Sequence, residues 1–415
     1  MTRIAIVGAG IAGLTCAHLL HPEHEVTVFE AEDRPGGHTR TIEVEIEAAA
    51  LAVDTGFIVY NERNYPGFVR LLERLGVPTQ PSVMSFSVSD GRGEFEYNGA
   101  SPNGLFARRS SLVRPSFHRM VRDLLRFNRE APGLIGLNGS GPTLLDFLDE
   151  GGYSRDFVER LIVPQASAVW SADPRDLRRF PAALLAEFFD NHGMFGFSGR
   201  PNWRAVVGGS ARYVERLTVP MRDRFRLSSA VVRIERFGDR VEVTPERGGP
   251  EAFDEVILAA HSDQALRMLA DPSPVEVALL GAIPYQANDV VLHTDASLLP
   301  RRRRARASWN FHLQEEPAER TTVTYHMNRL QSLQSERDYC VTLNRSDAID
   351  PERVLRRGEF SHPVFSHAAL AAQRRWTEIS GVRRTHYCGA YWGYGFHEDG
   401  VQSALRVCEG FGAAL

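Results

Sequence analysis

Lysine is absent from this chain. All 48 basic residues among its 415 are arginine, which excludes a lysine Schiff base, a lysine general base and a lysine phosphate loop. Cysteine is scarce. Cys16, Cys340, Cys388 and Cys408 are scattered with no metal-site spacing, which predicts no metal, no disulfide framework and a reducing, cytoplasmic setting. No apolar run reaches the roughly 18 residues of a membrane span. Neither sign of charge dominates, and a net charge of -4 gives no case for nucleic acid. The apolar N-terminus runs straight into the charged stretch His21–Glu25, so it is not read as a signal peptide. An apolar share of 43% and a charged share of 24% suit a soluble globular protein. The length exceeds what one hydrophobic core usually serves, so two lobes are expected.

The chain opens on a strand-like run, Ile4 to Val7, followed by Gly8-Ala-Gly10-Ile-Ala12-Gly13 and a helix-like run, Ile11 to Leu20. Gly8 permits a tight turn, Gly10 lets backbone approach a pyrophosphate, and Gly13 lets the helix pack close on the strand. The start of the helix, Ala12 included, offers free N–H groups and partial positive charge to phosphates. A second strand, Glu25 to Phe29, ends at Glu30, near the spacing at which a carboxylate meets a ribose. A bound dinucleotide is the expectation.

A turn-rich loop follows, from Ala31 through Arg34, Gly36, Gly37, His38 and Thr39 to Arg40, then a strand from Thr41 to Ile46 and the turn Asp54-Thr55-Gly56. A G-x-G-x-x-G strand–helix, an acid ending the next strand, a paired-glycine loop and a D-x-G turn together resemble the glutathione-reductase-like FAD proteins. Within these, the flavin amine oxidases and carotenoid-type desaturases are the branch most similar. The resemblance implies an α/β fold: a Rossmann-type FAD-binding domain with an inserted α+β substrate domain. It implies FAD as cofactor, with Glu30 and Ala31 at the adenosine ribose. Arg34, Gly36, Gly37, His38 and Thr39 would lie along the ribityl-pyrophosphate, near Thr55 and Gly56. Val231, in the strand-like stretch Ser228 to Arg236, would meet the adenine through its backbone.

By this reading residues 1–80, 200–285 and 379–415 form the FAD-binding domain, and 81–199 with 286–378 form the substrate-binding domain. Within the latter, Arg108 to Arg129 carries seven arginines, interleaved with apolar residues at helical spacing from Pro115 onward. Two readings stand for this helix and for the run Arg301–Arg306. Each is a peripheral contact with an anionic membrane or acidic substrate, or a solvated surface packed on its own lobe.

The second informative stretch is Tyr387-Cys-Gly389-Ala-Tyr391-Trp392-Gly-Tyr394-Gly395-Phe396-His397-Glu398-Asp399-Gly400-Val401. A strand ends at Gly389, an aromatic loop follows, and a final helix is expected from Gly400 to Phe411. Its N-terminus can stabilise negative charge on a reduced flavin. Gly389, Gly395, Glu398 and Val401 match the flavin amine oxidase pattern. Tyr391 stands where that family has an acid, Phe396 replaces a tyrosine of the amine-clamping pair, and the lysine that holds a water near the flavin is missing. The closest resemblance is to a bacterial group of amine-oxidase-like FAD proteins, some of whose relatives are associated with modified fatty acids.

These departures lead to an FAD-dependent oxidoreductase that takes a hydride from an apolar, fatty-acyl or lipid-like substrate and leaves a double bond. Dioxygen or another acceptor would reoxidise the flavin. His397 is the expected proton-handling group, with Glu398 and His38 beside it. Tyr391, Trp392, Tyr394 and Phe396 are expected to line the substrate side, with Trp170 and Trp309 as cavity walls. An amine or amino-acid oxidase, a redox-neutral double-bond isomerase and a non-catalytic FAD-binding partner are the alternatives.

Overall fold

The computed structural model describes residues 1–46, 49–137, 141–196, 199–314 and 320–415. Strand β1 (Arg3–Val7) buries Ile4, Ala5 and Ile6 completely, as a central parallel strand does when both faces are covered. Gly8 turns the chain into α1 (Ile11–Leu20), and β2 (Glu25–Phe29) returns parallel to β1 with Phe29 opposite Val7. A hairpin of β3 (Thr41–Ile46) and β4 (Ala49–Asp54) comes next. Helix α2 (Pro66–Arg74) then starts on a proline, whose missing N–H costs nothing in a first turn.

The chain next enters the second lobe. Strands β5 (Phe86–Ser89) and β6 (Glu96–Asn98) precede α3 (Pro115–Glu130), α4 (Val163–Trp170) and α5 (Ala182–Asn191). Helix α3 buries Phe117, Met120 and Phe127 in the lobe core and turns Arg119, Arg122 and Arg129 to solvent. The chain returns through α6 (Ala211–Thr218), β7 (Phe225–Arg226), β8 (Val231–Arg236), β9 (Glu255–Leu258) and α7 (Ser262–Met268). It crosses again for β10 (Tyr285–His293), β11 (Trp309–His312), β12 (Val323–His326), β13 (Cys340–Leu343) and β14 (Val354–Pro363). Strand β15 (Thr385–Tyr387) and helix α8 (His397–Glu409) close the first lobe.

Two sheets result. The nucleotide sheet is parallel with order β7-β2-β1-β9-β15, and the larger one has order β14-β10-β13-β12-β11-β5-β6, antiparallel except between β11 and β5. This is the amine-oxidase-like arrangement, a Rossmann-type sheet with an inserted substrate lobe. In the arginine run after Pro300, Arg302 pairs with the buried Glu96 and Arg306 with Asp338, so part of that run is structural.

Helix α8 differs from expectation. It starts at His397, not Gly400, because Asp399 Oδ2 accepts the Phe396 N–H at 2.9 Å and caps it earlier. Gly400 therefore lies inside the helix, where a Cβ would fall 2.7 Å from Ile11 Cγ2. The glycine permits the close packing of α8 on α1.

Candidate active site

The first glycine motif divides its labour. A Cβ on Gly13 would lie 2.0 Å from Gly8 O, so Gly13 serves helix packing. Gly8 has φ +104° and sits against Ala259 O. Gly10 has open space where its Cβ would be and faces a large cavity, as do Gly8, Ile11 and Ala12. The amides opening α1 have no intrahelical acceptor, so the cradle fits a phosphate. Glu30 is held beside it: Oε2 accepts the Ala9 N–H at 2.7 Å and Oε1 the Glu32 N–H at 2.9 Å. Ala31 and Val231 share that wall.

The paired glycines bring the second loop onto the first. Gly36 donates its N–H to Ala9 O at 2.8 Å, and a Cβ on Gly37 (φ +56°) would come within 3.1 Å of Gly10 Cα. Gly36, Gly37, His38, Thr55 and Gly56 all line the cavity. Arg34 does not. Its guanidinium donates to Thr39 O at 3.0 Å and Gly37 O at 3.2 Å and pairs with Glu32, so it braces the loop from behind. Thr39 is likewise behind the wall, its hydroxyl bonded to Tyr213 and to His397 Nε2. These surfaces fit an FAD: an anion cradle, a carboxylate for a ribose, and a glycine-lined trench running toward the second lobe.

The C-terminal loop supplies the other wall. Gly389, Tyr391, Tyr394, Phe396 and His397 line the cavity. Burial pushes the Tyr391 phenol well above its ordinary range, so it stays neutral. The Tyr394 hydroxyl donates to Glu187 Oε2 at 3.2 Å, and Trp170 Nε1 donates to Tyr394 O at 3.1 Å. Phe396 stacks on Phe188 at 5.6 Å between centroids.

Several expected roles change here. Trp392 is packed in the core behind the loop with Tyr387 and Leu258 and is not on the cavity wall. His397 touches the cavity, but burial drives its pKa well below the ordinary range and leaves it neutral. Its Nε2 is bonded to Thr39 Oγ1 at 3.0 Å and Tyr213 OH at 2.9 Å, which makes it a clasp between α8, α6 and the glycine loop. Glu398 points away, accepting the N–H groups of Gly67 and Phe68 at 2.9 and 2.8 Å and so capping α2. Asp399, pushed up to about 7 by burial, caps α8 itself. Gly400 and Val401 are helix-packing residues.

The cavity measures about 1290 Å³, more than the roughly 300–1,000 Å³ of a typical single-ligand site, which leaves room beside a cofactor. Beyond the aromatic loop its walls are Trp170, Phe188, His192, Trp203, Trp309 and Tyr325. Trp309 Nε1 and Asn128 Oδ1 are buried on this wall without a hydrogen-bond partner, one a donor and one an acceptor. Phe188, His192, Asn128, His261 and His362 carry no motif. Only His261, placed just after a buried strand of the nucleotide sheet, had a local signal.

Known proteins share this architecture. The chain is 26% identical over 282 residues to a protein of Mycobacterium tuberculosis assigned as a flavin-containing monoamine oxidase, covering 66% of this chain and 60% of that relative. It is 22% identical over 314 residues to an L-amino-acid oxidase of Bothrops moojeni, covering 70% and 59%. The match thus spans about three fifths of the length of these curated relatives. A putrescine oxidase structure superposes with a TM-score of 0.70 at 16% identity, over 99% of this chain and 98% of that one. A fatty acid isomerase of P. acnes does so at 0.68 and 16%, over 99% of each. The fold alone is therefore shared by both chemistries. The relatives found by sequence carry amine and amino-acid oxidase names, and this overturns the expectation of an acyl-chain desaturase. The family model of flavin containing amine oxidoreductases matches residues 11–410, and the chain belongs to that family.

Proposed function

We propose that this flavoprotein oxidises the carbon–nitrogen bond of an amine or amino acid with an apolar body. The observation that carries the reading is the continuity of the cavity, whose glycine-lined trench opens directly onto an aromatic chamber. An FAD held by the Gly8–Gly10 cradle, Glu30 and the Gly36–Gly37 loop would supply two-electron oxidation at the carbon bearing the nitrogen, with dioxygen or another acceptor taking the electrons. The resulting imine takes up water and releases ammonia and a carbonyl compound.

The residues have three tasks. Tyr394, Phe396, Trp170 and Phe188 grip the apolar body and present ring faces to the amine. Their low polarity favours the uncharged amine, the form that can lose hydride, by penalising the ammonium. Burial keeps His192 neutral, with a pKa near 4, so it adds no competing cation. The aromatic walls exclude bulk water from the reacting carbon. Oxygen uptake with a panel of amines and amino acids, with ammonia and the carbonyl product measured together, tests the reading. Phe396→Ala is expected to raise KM for the amine about tenfold while leaving the flavin spectrum intact, the scale of about 1.4 kcal/mol of lost apolar contact. Unchanged KM would count against the aromatic chamber as the substrate site.

A further inference from the structure

Three histidines from distant parts of the chain meet on the cofactor side of the cavity. His38 follows Gly37 in the paired-glycine loop, His261 stands two residues after Ala259 at the end of β9, and His362 lies on β14 of the opposite lobe. The His38 ring centroid is 5.7 Å from that of His261 and 5.4 Å from that of His362. His38 stacks on Phe360 at 4.9 Å and His261 on Tyr285 at 4.4 Å, which fixes both rings. The described residues hold no His, Cys, Asp or Glu cluster suited to a metal ion, so the trio needs another explanation.

Their hydrogen bonds define a neutral cluster. His38 Nε2 donates to Ser361 O at 3.1 Å, leaving its Nδ1 as the unprotonated nitrogen. His362 Nδ1 accepts from Asn288 Nδ2 at 3.0 Å, which places its proton on Nε2. Burial lowers the pKa of all three, His261 to about 4 and His362 to about 3. The surrounding charges nearly balance. Glu32 and Arg34 face His38, Asp263 and Arg267 face His261, and Glu359 lines the wall on β14.

An anion entering this space changes the balance. The phosphate cradle is adjacent, because Gly37 packs on Gly10 and Gly8 packs on Ala259. We propose that His38, His261 and His362 form a proton-accepting cluster for the diphosphate of the cofactor, so that the protein takes up protons as it binds FAD. A negative charge within a few Å raises an imidazole pKa by about 1–3 units, which reverses much of the burial effect. Since the bound-state pKa is then the higher one, binding is strengthened at low pH and weakens as pH rises through that value.

The test uses the holoprotein, diluted at constant ionic strength between about pH 4.5 and 7.5, a range that includes imidazoles lowered to about 3–4 by burial and raised again by about 1–3 units. Released FAD is read by its fluorescence. The dissociation constant is expected to rise with pH, approaching tenfold per unit for each proton taken up. His362→Asn and His261→Asn, checked for fold by circular dichroism, are expected to flatten the slope. A dissociation constant independent of pH in the wild type, or a slope unchanged in both variants, would overturn the proposal. This readout depends on FAD binding alone, so failure of the amine reading leaves it standing and its own failure leaves that reading untouched.

Discussion

The imidazole of His397 lies flat on the ring of Phe57, with centroids 3.5 Å apart and planes inclined by 12°. Together with the Thr39 and Tyr213 hydroxyls on Nε2, this contact makes His397 a fixed neutral strut. His397→Ala should cost about 2–4 kcal/mol in stability, through the lost packing and the lost Nε2 bonds to two hydroxyls left with only each other. The pH dependence of turnover in whatever folded variant remains should match wild type. Thermal melts and a pH–rate profile check this, and a shifted limb would restore His397 as a proton carrier.

Gly10 and Gly13 belong to one motif yet should fail differently. Gly10→Val puts its side chain into open space at a backbone geometry (φ -74°) that any residue adopts. It should leave the melting temperature unchanged and weaken FAD binding at least about tenfold by occupying the phosphate approach. Gly13→Ala places Cβ against Gly8 O and should destabilise the fold by about 1–3 kcal/mol. Parallel melts and FAD titrations separate the two.

Glu398 is expected to act on stability alone. Its carboxylate accepts the Gly67 and Phe68 amides, and Gln402 Nε2 donates to it at 2.6 Å. Glu398→Ala strands buried amides at a cost of about 1–3 kcal/mol, while the flavin spectrum and its reduction by substrate should persist. Loss of reduction in a variant that still folds and holds FAD would show that Glu398 contributes to chemistry.

Acid should loosen the larger sheet. His293 Nε2 bonds Thr342 Oγ1, which bonds Thr324 Oγ1, which bonds His312 Nε2. Burial lowers His293 to about 4 and His312 to about 3. The unfolded chain therefore binds protons here more readily than the folded one. Stability is full above the unfolded value of about 6.5 and falls as pH drops below it, by up to about 1.4 kcal/mol per unit per histidine. Urea titrations between about pH 7 and 4.5 should show this slope, and His312→Gln should reduce it.

The cofactor half of the site was legible because its signals are local. Gly8 to Gly13 and Glu30 follow strand ends, and Gly36-Gly37 lie in the loop that packs onto them, where backbone geometry dictates residue type. The aromatic loop was legible only through resemblance, and its details shifted with side-chain contacts. Asp399 capped α8 at His397, and Trp392 turned into the core beside Tyr391. The histidine trio was invisible in the sequence, since residues 38, 261 and 362 meet only when the lobes pack. The desaturase expectation fails because Tyr391, Phe396 and the missing lysine depart from the family's amine-site pattern without removing the aromatic chamber, which still accommodates an amine.

The most direct measurement is anaerobic mixing of the FAD-loaded protein with amines, amino acids, free fatty acids and phospholipids, each followed through the visible band of oxidised flavin. The account predicts that members of the amine or amino-acid set bleach the band and that the acyl compounds do not. Bleaching by acyl compounds alone, or by none of the four classes, would contradict it.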